Sequence, residues 1–593
     1  MSARLDVLFV NPYSSAKLNY HTQNDAMMYM ASYLRNNGVT AQIIDLNLAT
    51  REDNFQKLHD HLRRHRPRIA AVSGRWWRQL YGTCDVGRQI KAFDPTIMTV
   101  SGGDSASMFA EDMCRHGYFD AVIRGKALLP LLQLARGETA ANTVWRENGS
   151  IKSTPMTYFR ADEALELRLS AVDEIFEDPD RELSPTPYIW LGEGCPYNCL
   201  YCAAARSVQT ANLMQAENGA KIRYRSADLV LDDLDKLSKW RTAFLFDYQP
   251  DKSTVLKEII KQVDERRYGL IYEPWSMRNV DHELIQMLGE KMRFTYYALD
   301  PQTYSEPLRE RLAARKIAKP FITNSGLETV CEDVSRLGDI VLTTGTTSMP
   351  TEQDDDIVVS QGYRRQLMEQ FSGMENTWLS PVVLDPGAPM GVANDKYGIV
   401  LGRRGFDQFL EFSRAAIVEN PVSFYQQLFD TARAYAAGDD AMVDRFNYLC
   451  GFHYQEDPGL GVRHLAATLN IISPAVEPFR ADEITESVVD GVPHYAIKGN
   501  GRQLPNFGHV ASRIVEAGHR EVSIDASECR FLSGLPDSLV NCKSPSWSYI
   551  IVSPQIRKLC AMISRGDVRA TIKTPPLPAD SFLHPSALHA AAR

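Results

Sequence analysis

Three cysteines carry the clearest chemistry in this chain. In Cys195-Pro-Tyr-Asn-Cys199-Leu-Tyr-Cys202 the thiols are spaced C-x3-C-x2-C directly after an apolar run. Thiolates placed this way can hold three irons of a four-iron cluster and leave the fourth open. A structural zinc site normally closes with four ligands, and no fourth Cys or His follows within the next turn. Structural zinc and a chance group of buried thiols are the alternative readings. The run Tyr188-Ile-Trp-Leu-Gly-Glu-Gly194 ahead of the cysteines predicts a strand ending in a Gly-rich turn. Cys199 and Cys202 then lie one helical turn apart on one face.

The elements that must position this loop are α/β in character. Residues 1–150 alternate strand and helix patterns, which predicts a doubly wound sheet. Strands are expected at 5–10, 40–45, 69–73, 97–101 and 121–123, with a helix over 25–37 ended by Gly38. Ligands of such sheets bind beyond the carboxyl ends of the strands. Ser73-Gly74-Arg75-Trp76, Gly102-Gly103-Asp104 and Gly125 should therefore ring one crevice. Beyond residue 400, helices are expected over 406–428 and 440–452. A small α/β unit follows over 483–574, with strands at Tyr495-Ala-Ile-Lys and Tyr549-Ile-Ile-Val. The tail after Pro575 is rich in Pro and Ala and is expected to be disordered.

Bulk properties fit a large enzyme of several domains. Lys and Arg number 65 against 74 Asp and Glu, a net charge of −9 without a compensating basic block, which argues against a nucleic-acid partner. The opening residues run straight into a strand, and no apolar stretch is long enough to span a membrane. A cytoplasmic protein is expected, its 10 cysteines mostly single and suited to free thiols in a reducing compartment. Cys529, Cys542 and Cys560 read as core thiols.

The cysteine spacing resembles the radical S-adenosylmethionine (SAM) superfamily, whose open iron usually chelates SAM. Other stretches agree. Arg223-Tyr-Arg225-Ser and the helix after it look like the family's R-x-R-S segment. Tyr297-Ala-Leu-Asp300-Pro-Gln-Thr-Tyr304 occupies the place of the fourth barrel strand and its exit. Val341 through Glu352 resembles the fifth strand, and Pro381 through Pro389 the sixth. The preceding V-S-G-G-D-S-A-S and F-D-A-V-I-R-G-K segments are similar to the cobalamin-binding domain of one large subclass, the class B methyltransferases.

This resemblance implies an N-terminal Rossmann-like cobalamin-binding domain (1–150), a linker (151–184) and a partial (β/α)6 radical SAM barrel with a 4Fe-4S cluster (185–395). A C-terminal substrate or capping region (396–580), helical plus small α/β, and a flexible tail (581–593) complete the layout. It implies Cys195, Cys199 and Cys202 as cluster ligands, and Ser73, Gly74, Arg75, Trp76, Gly102, Gly103, Asp104 and Gly125 as cobalamin contacts.

Two departures shape the reading. No Asp-x-His-x-x-Gly is present to supply a histidine to cobalt, and His21 reads as a loop histidine. Arg75 and Trp76 are then candidates for the cobalt's lower face, or else an arginine stacked on a core tryptophan. Where relatives carry Gly-Gly-Glu for SAM, this chain has Phe244-Leu-Phe-Asp247-Tyr-Gln249, so Asp247 and Gln249 become the SAM candidates. Glu273 ends an apolar strand and is expected either to contact SAM or to ligate the open iron. A surface acid paired with Arg278 is the bland alternative. Glu273, Arg75 and Tyr304 are the expected catalytic residues, with Tyr297 and Asp300 nearby.

The resemblance is strongest to members that methylate C2 of tryptophan by polar transfer from methylcobalamin in thiopeptide antibiotic biosynthesis. Indole C2 is electron-rich and needs no hydrogen-atom abstraction. Tryptophan or another indole is the expected substrate, with SAM, cobalamin and an external electron donor. A radical-forming relative acting on an sp3 carbon or rearranging a ring is the second reading. An iron-sulfur or cobalamin sensor is the third, although no output module is evident.

Overall fold

The computed structural model describes residues 4–14, 25–46, 51–157, 165–183, 187–207, 222–238, 243–247, 254–263, 268–292, 294–337, 340–343, 345–371, 374–376, 380–420, 422, 424–472, 484–497, 514, 517–525 and 569–573. The strand expected at Tyr549, the core thiols Cys529, Cys542 and Cys560, His21, Gln249 and the tail lie outside them.

The first sheet follows from short apolar runs buried on both faces, the signature of parallel strands. Its strands are β1 (Val7–Asn11), β2 (Ala41–Asp45), β3 (Ile69–Ser73), β4 (Met98–Gly102) and β5 (Ala121–Ile123), then β6 (Thr143–Glu147) and β7 (Ser150–Ser153). The order is β2-β1-β3-β4-β5-β6-β7. β1 to β5 are parallel, and the last two form an antiparallel hairpin at the edge. Alternation in β1 divides the interior in two. Val7 and Phe9 face a core that continues through Ile189, Leu245 and Leu270 of the next sheet. Leu8 and Val10 face a core that runs on to Phe406, Phe409 and Phe424 of the C-terminal helices.

The central sheet takes β8 (Tyr188–Trp190), β11 (Ala243–Asp247), β12 (Gly269–Pro274), β13 (Phe294–Leu299), β14 (Ile340–Thr343) and β16 (Met374–Asn376) in sequential order, all parallel. Helices follow its strands, several with readable caps. Asp281 caps His282–Lys291, Ser305 caps Glu306–Ala314, and a capping box between Gln353 and Asp356 starts Asp354–Gln370. A two-stranded ladder of β9 (Gly192–Glu193) and β10 (Arg223–Tyr224) sits beside the cysteine loop.

The expected sixth strand, Pro381–Pro389, is displaced. The sheet's sixth strand is β16, and Ser380–Pro381 (β17) instead pairs with Thr346–Thr347 (β15). Prolines cannot donate to a ladder, so the segment rich in them forms a turn beyond the sheet.

A buried polar network joins the sheets. Arg225 and Asp233, both fully buried, pair at 2.7 Å. Arg225 also donates to the carbonyls of Trp190 and Leu167, while Tyr29 donates to Asp233 and accepts from the Trp190 N–H. The R-x-R-S segment therefore acts here as a tie between three parts of the chain.

The helix expected over 406–428 is broken. Phe406–Phe412 runs into a π-helical turn, Ser413–Val418, and a new helix, Phe424–Ala436, starts after Pro421, because the residue before a proline disfavours helix. These helices pack aromatic side chains on Trp77 and Phe109 of the first domain. β18 (Ile399–Leu401) and β19 (Phe452–Tyr454) form a short antiparallel pair. A four-stranded sheet, β20 (Ile484–Val489), β21 (Val492–Ile497), β22 (Glu521–Asp525) and β23 (Arg569–Lys573), forms the C-terminal unit.

Candidate functional site

The cysteine loop leaves the carboxyl edge of the central sheet through Gly194 and is held from four directions. Leu200 donates to the Ile317 carbonyl at 2.9 Å, and Met390 donates to the Leu200 carbonyl at 3.0 Å. The Tyr197 hydroxyl bonds Ser276, just past β12, at 2.7 Å. Gln302, just past β13, donates its amide to the Tyr201 hydroxyl. Strand ends thus fix the loop that carries the thiols.

Backbone N–H groups of Tyr197, Lys319 and Ala204 point at the sulfurs of Cys195, Cys199 and Cys202 respectively. Burial pushes all three thiols up, Cys199 to about 11. The Lys319 ammonium opposes this at Cys195 and Cys199. Such N–H donors are what stabilise a ligating thiolate. The three sulfurs do not belong to any set of ligand atoms converging within 4.8 Å, so they do not form a single-ion cage. A four-iron cluster, which spreads its ligands over several metals, suits the arrangement better.

Glu273 stands near the end of β12 with its carboxylate facing the same region. It makes no hydrogen bond or ion pair among the described residues. Burial pushes its carboxyl up to about 8; Lys319 pulls it down and Asp300 raises it further. A carboxylate this deep without a direct partner favours a positive charge beside it. Arg278, its alternative partner, lines a groove on the outer side of the cysteine loop together with Pro196 and Tyr197.

Lys319 is the residue that sequence reasoning missed. Its side chain is fully buried, its Nζ lies 3.2 Å from Asp300 Oδ2 and 3.3 Å from the Trp275 ring centroid. One cation therefore serves Asp300, Glu273 and two thiols at once. Nothing in Lys-Ile-Ala-Lys-Pro marks it, since the neighbours that define it come from other strands.

The first sheet supplies the second crevice. Ser73, Arg75, Gly102, Gly103, Asp104 and Gly125 line one cavity of about 330 Å³, with Met27, Met30 and Leu131 beneath and Trp190 and Glu193 of the central domain closing one side. Gly103 has φ of +112°, and a Cβ there would meet the Arg75 backbone at 2.8 Å. Gly74 donates to the Gly102 carbonyl at 2.8 Å, and its own Cβ would strike Ala106 at 2.7 Å. Small residues thus let β3, β4 and the helix after them close on one another. Arg75 lies 5.0 Å from the Trp76 ring centroid. Trp76 is 41% exposed, so this stack lies at the surface and not in a core.

The two regions meet at one turn. Asp385 bonds the Gly387 N–H at 3.0 Å, and its carboxyl is pushed to about 7 by burial, with Asp104 raising it further. Asp385 in turn raises the Cys202 thiol. A Cβ on Gly387 would lie 3.4 Å from Ala203 of the cysteine loop and 3.6 Å from Met108 of the first domain. Cys195, Cys202, Glu273 and Asp385 each keep some exposed surface although protein surrounds them.

The remaining expected residues are placed differently. Asp247 is buried and accepts from the Tyr224 hydroxyl at 3.2 Å. Tyr297 packs edge-on against Tyr272. Tyr304 has contacts to Ser360, Tyr363 and Arg364 of the outer helix Asp354–Gln370, and its carbonyl accepts from the Asn324 amide at 3.3 Å.

Two solved structures of the radical S-adenosylmethionine methyltransferase TsrM from Kitasatospora setae are similar to this chain. The one with cobalamin and a 4Fe-4S cluster bound gives a TM-score of 0.53 at 16% identity, covering 67% of this chain and 80% of that one. The one with tryptophan and the SAM analogue aza-SAM bound gives 0.52 at 15% identity, covering 79% and 99%. The cobalamin-dependent S-adenosylmethionine radical enzyme OxsB, with aqua-cobalamin and S-adenosylmethionine bound, gives 0.49 at 12% identity over 75% and 70%. No family model matches the chain, and no curated protein matches it. The TsrM structures share with this chain its mixed α/β fold and parallel central sheet. Among the described residues, no helix is long and apolar enough to cross a membrane.

Proposed function

We propose that this chain is a cobalamin- and SAM-dependent C-methyltransferase that methylates C2 of tryptophan in antibiotic biosynthesis. The observation that carries the reading is the meeting of the two crevices at the Asp385 turn. A cluster-type cysteine loop and a glycine-edged sheet crevice open toward the same place, as a reaction joining two cofactors requires. The fold it shares with TsrM, whose structures hold cobalamin, a 4Fe-4S cluster and tryptophan, supports it further.

The residues present fit both groups. Cys195, Cys199 and Cys202 would hold the cluster, and Glu273, which shares the Lys319 cation with Cys195 and Cys199, would be a carboxylate available to it. The cavity edged by Gly102, Gly103 and Gly125 would take cobalamin against the strand ends, with Arg75 beside it and no histidine offered to cobalt. Bound cobalamin would supply a carrier for the methyl group between SAM and an electron-rich carbon.

The chain's own residues would do the rest. Lys319 holds Asp300 in place and keeps positive charge beside Glu273. Glu273, if it ligates iron, denies SAM its usual chelation there, which favours polar transfer. Asp247, at the end of β11, would serve as a SAM contact. An acid near the indole nitrogen would raise the electron density of C2 by accepting its proton, and Asp300, at the exit of β13, is our candidate for it.

The test is an anaerobic assay of reconstituted protein with hydroxocobalamin, a low-potential reductant, methyl-deuterated SAM and tryptophan, read by mass spectrometry. Trideuterated methyltryptophan without stoichiometric 5′-deoxyadenosine is the expected result. Accumulating 5′-deoxyadenosine with tryptophan untouched would sink this reading and turn attention to unactivated carbons.

A further inference from the structure

The helix Arg51–His65 turns His61 and His65 toward the segment that links the first and central sheets. An i, i+4 pair shares one helical face, and the two ring centroids lie 4.7 Å apart. Glu177 of the linking segment meets both: its Oε1 is 3.6 Å from His61 Nε2 and 2.5 Å from His65 Nε2. Among the described residues this is the set of His, Cys, Asp and Glu side chains whose ligand atoms all lie within 4.8 Å of one another.

His61 adds an independent observation. It is 1% exposed and its Nε2 has no hydrogen-bond partner. A buried ring nitrogen without a partner is costly unless something occupies the place it faces. Glu177 is oriented as well. Arg64 holds its Oε2 at 2.9 Å, which leaves Oε1 as a single donor between the two rings. The other nearby cation, Lys57, is matched by Glu182 at 2.6 Å.

We propose that His61, His65 and Glu177 bind a divalent transition-metal ion of the zinc class, apart from the cluster and cobalamin sites. Two imidazoles and one carboxylate are a zinc-type donor set, and tetrahedral bonds of about 2.0–2.1 Å place donors about 3.3 Å apart. The His61 to Glu177 spacing is already near that value, and the His65 contact opens by less than about 1 Å to reach it. The fourth position is left for water. The ion's role is to pin the linking segment to the first domain, where Phe176 already bridges to Ile43.

The test uses the full chain loaded with cluster and cobalamin, equilibrated with Zn²⁺, dialysed against metal-free buffer and analysed for zinc and iron by plasma mass spectrometry. The wild type is expected to retain about one zinc per chain. His61→Ala and Glu177→Gln should each retain less than about a tenth of that, with iron and cobalamin unchanged, and should lose the zinc-dependent rise in unfolding temperature that the wild type shows. If His61→Ala fails to fold, Glu177→Gln decides the matter, since it preserves size and shape. No zinc retained by the wild type, or equal zinc in wild type and variants, overturns the proposal; the second outcome assigns the ion to other thiols or histidines.

Discussion

The crevice at the edge of the first sheet and the opening at the edge of the second lie on either side of the Asp385 turn, yet they are made of different materials. The first is bounded largely by glycines, a serine and aliphatic side chains, with Arg75, Asp104, Lys126 and Glu193 at its edge, and the close approaches of Gly74 to Ala106 and of Gly103 to the Arg75 backbone define its shape. The second is bounded by three thiols, Glu273, Asp300, Asp385 and the buried Lys319, and charge defines it. One region should therefore respond to added volume and the other to altered charge. This follows from how each is stabilised: sterics act over tenths of an ångström, whereas a desolvated charge is felt by every ionisable group nearby.

The largest expected effect breaks the charged region outright. Cys199→Ala should abolish cluster iron and methylation together, read by iron content and by electron paramagnetic resonance of the reduced protein, while cobalamin binding persists. Loss of cobalamin as well would show that the two regions are not separable.

Next in size is Lys319→Met, which leaves Asp300 and Glu273 without their cation. Removing one partner of a buried pair costs about 3–5 kcal/mol. Asp300 keeps 19% of its side-chain surface, so a loss near about 3 kcal/mol is expected by denaturant unfolding. Adding Asp300→Asn should recover part of it, and a Lys319→Met protein as stable as wild type would contradict the picture of a charge-built site.

Volume is the matching test on the other side. Gly103→Ala must place a Cβ where φ is +112° and the Arg75 backbone is 2.8 Å away. Backbone strain of about 1–3 kcal/mol predicts cobalamin binding weakened about tenfold or more, followed by visible absorbance. Asp104→Asn, which changes charge and hardly changes size, should alter that affinity much less.

The smallest effect sharpens the comparison through pH. Asp25 is buried, accepts from the Tyr188 N–H at 2.9 Å, and has its carboxyl raised to about 7 by burial, with Arg75 opposing. A folded-state pKa above the unfolded one means that the folded chain binds the proton more tightly. This contribution is full below about pH 4 and is lost as pH rises through 7. Asp25→Asn should thus be more stable than wild type at pH 8, with no such gain at pH 4. A constant difference across pH would assign the effect to packing.

The same contrast decides what was legible in the sequence. β3 and β5 are where their apolar runs predict, because parallel strands buried on both faces have sharp ends. The crevice residues followed from those ends, and Ser73, Arg75, Gly102, Gly103, Asp104 and Gly125 share one cavity. The hairpin of β6 and β7 was overlooked although Asn148-Gly149, both at positive φ, is the turn signal for it. The cysteine spacing is local and was readable. Lys319 and Asp385 were not, since their roles arise from neighbours on other strands. Tyr304 follows a barrel strand as expected, and its backbone N–H and its ring lie beside Ser360 and Arg364 of the helix Asp354–Gln370, a neighbourhood that its sequence position does not reveal.

The Tyr29, Arg225 and Asp233 network bears on how this architecture can be cut and recombined. Tyr29 comes from the first domain, Leu167 from the linking segment, and Trp190, Arg225 and Asp233 from the central one. A chimaera spliced between residues 150 and 185 would inherit half of a buried ion pair's support and leave the rest facing a foreign surface. Any swap of the first-sheet unit between chains of this fold must therefore carry these five positions as one inherited unit. The visible linker is a boundary of sequence rather than of heredity.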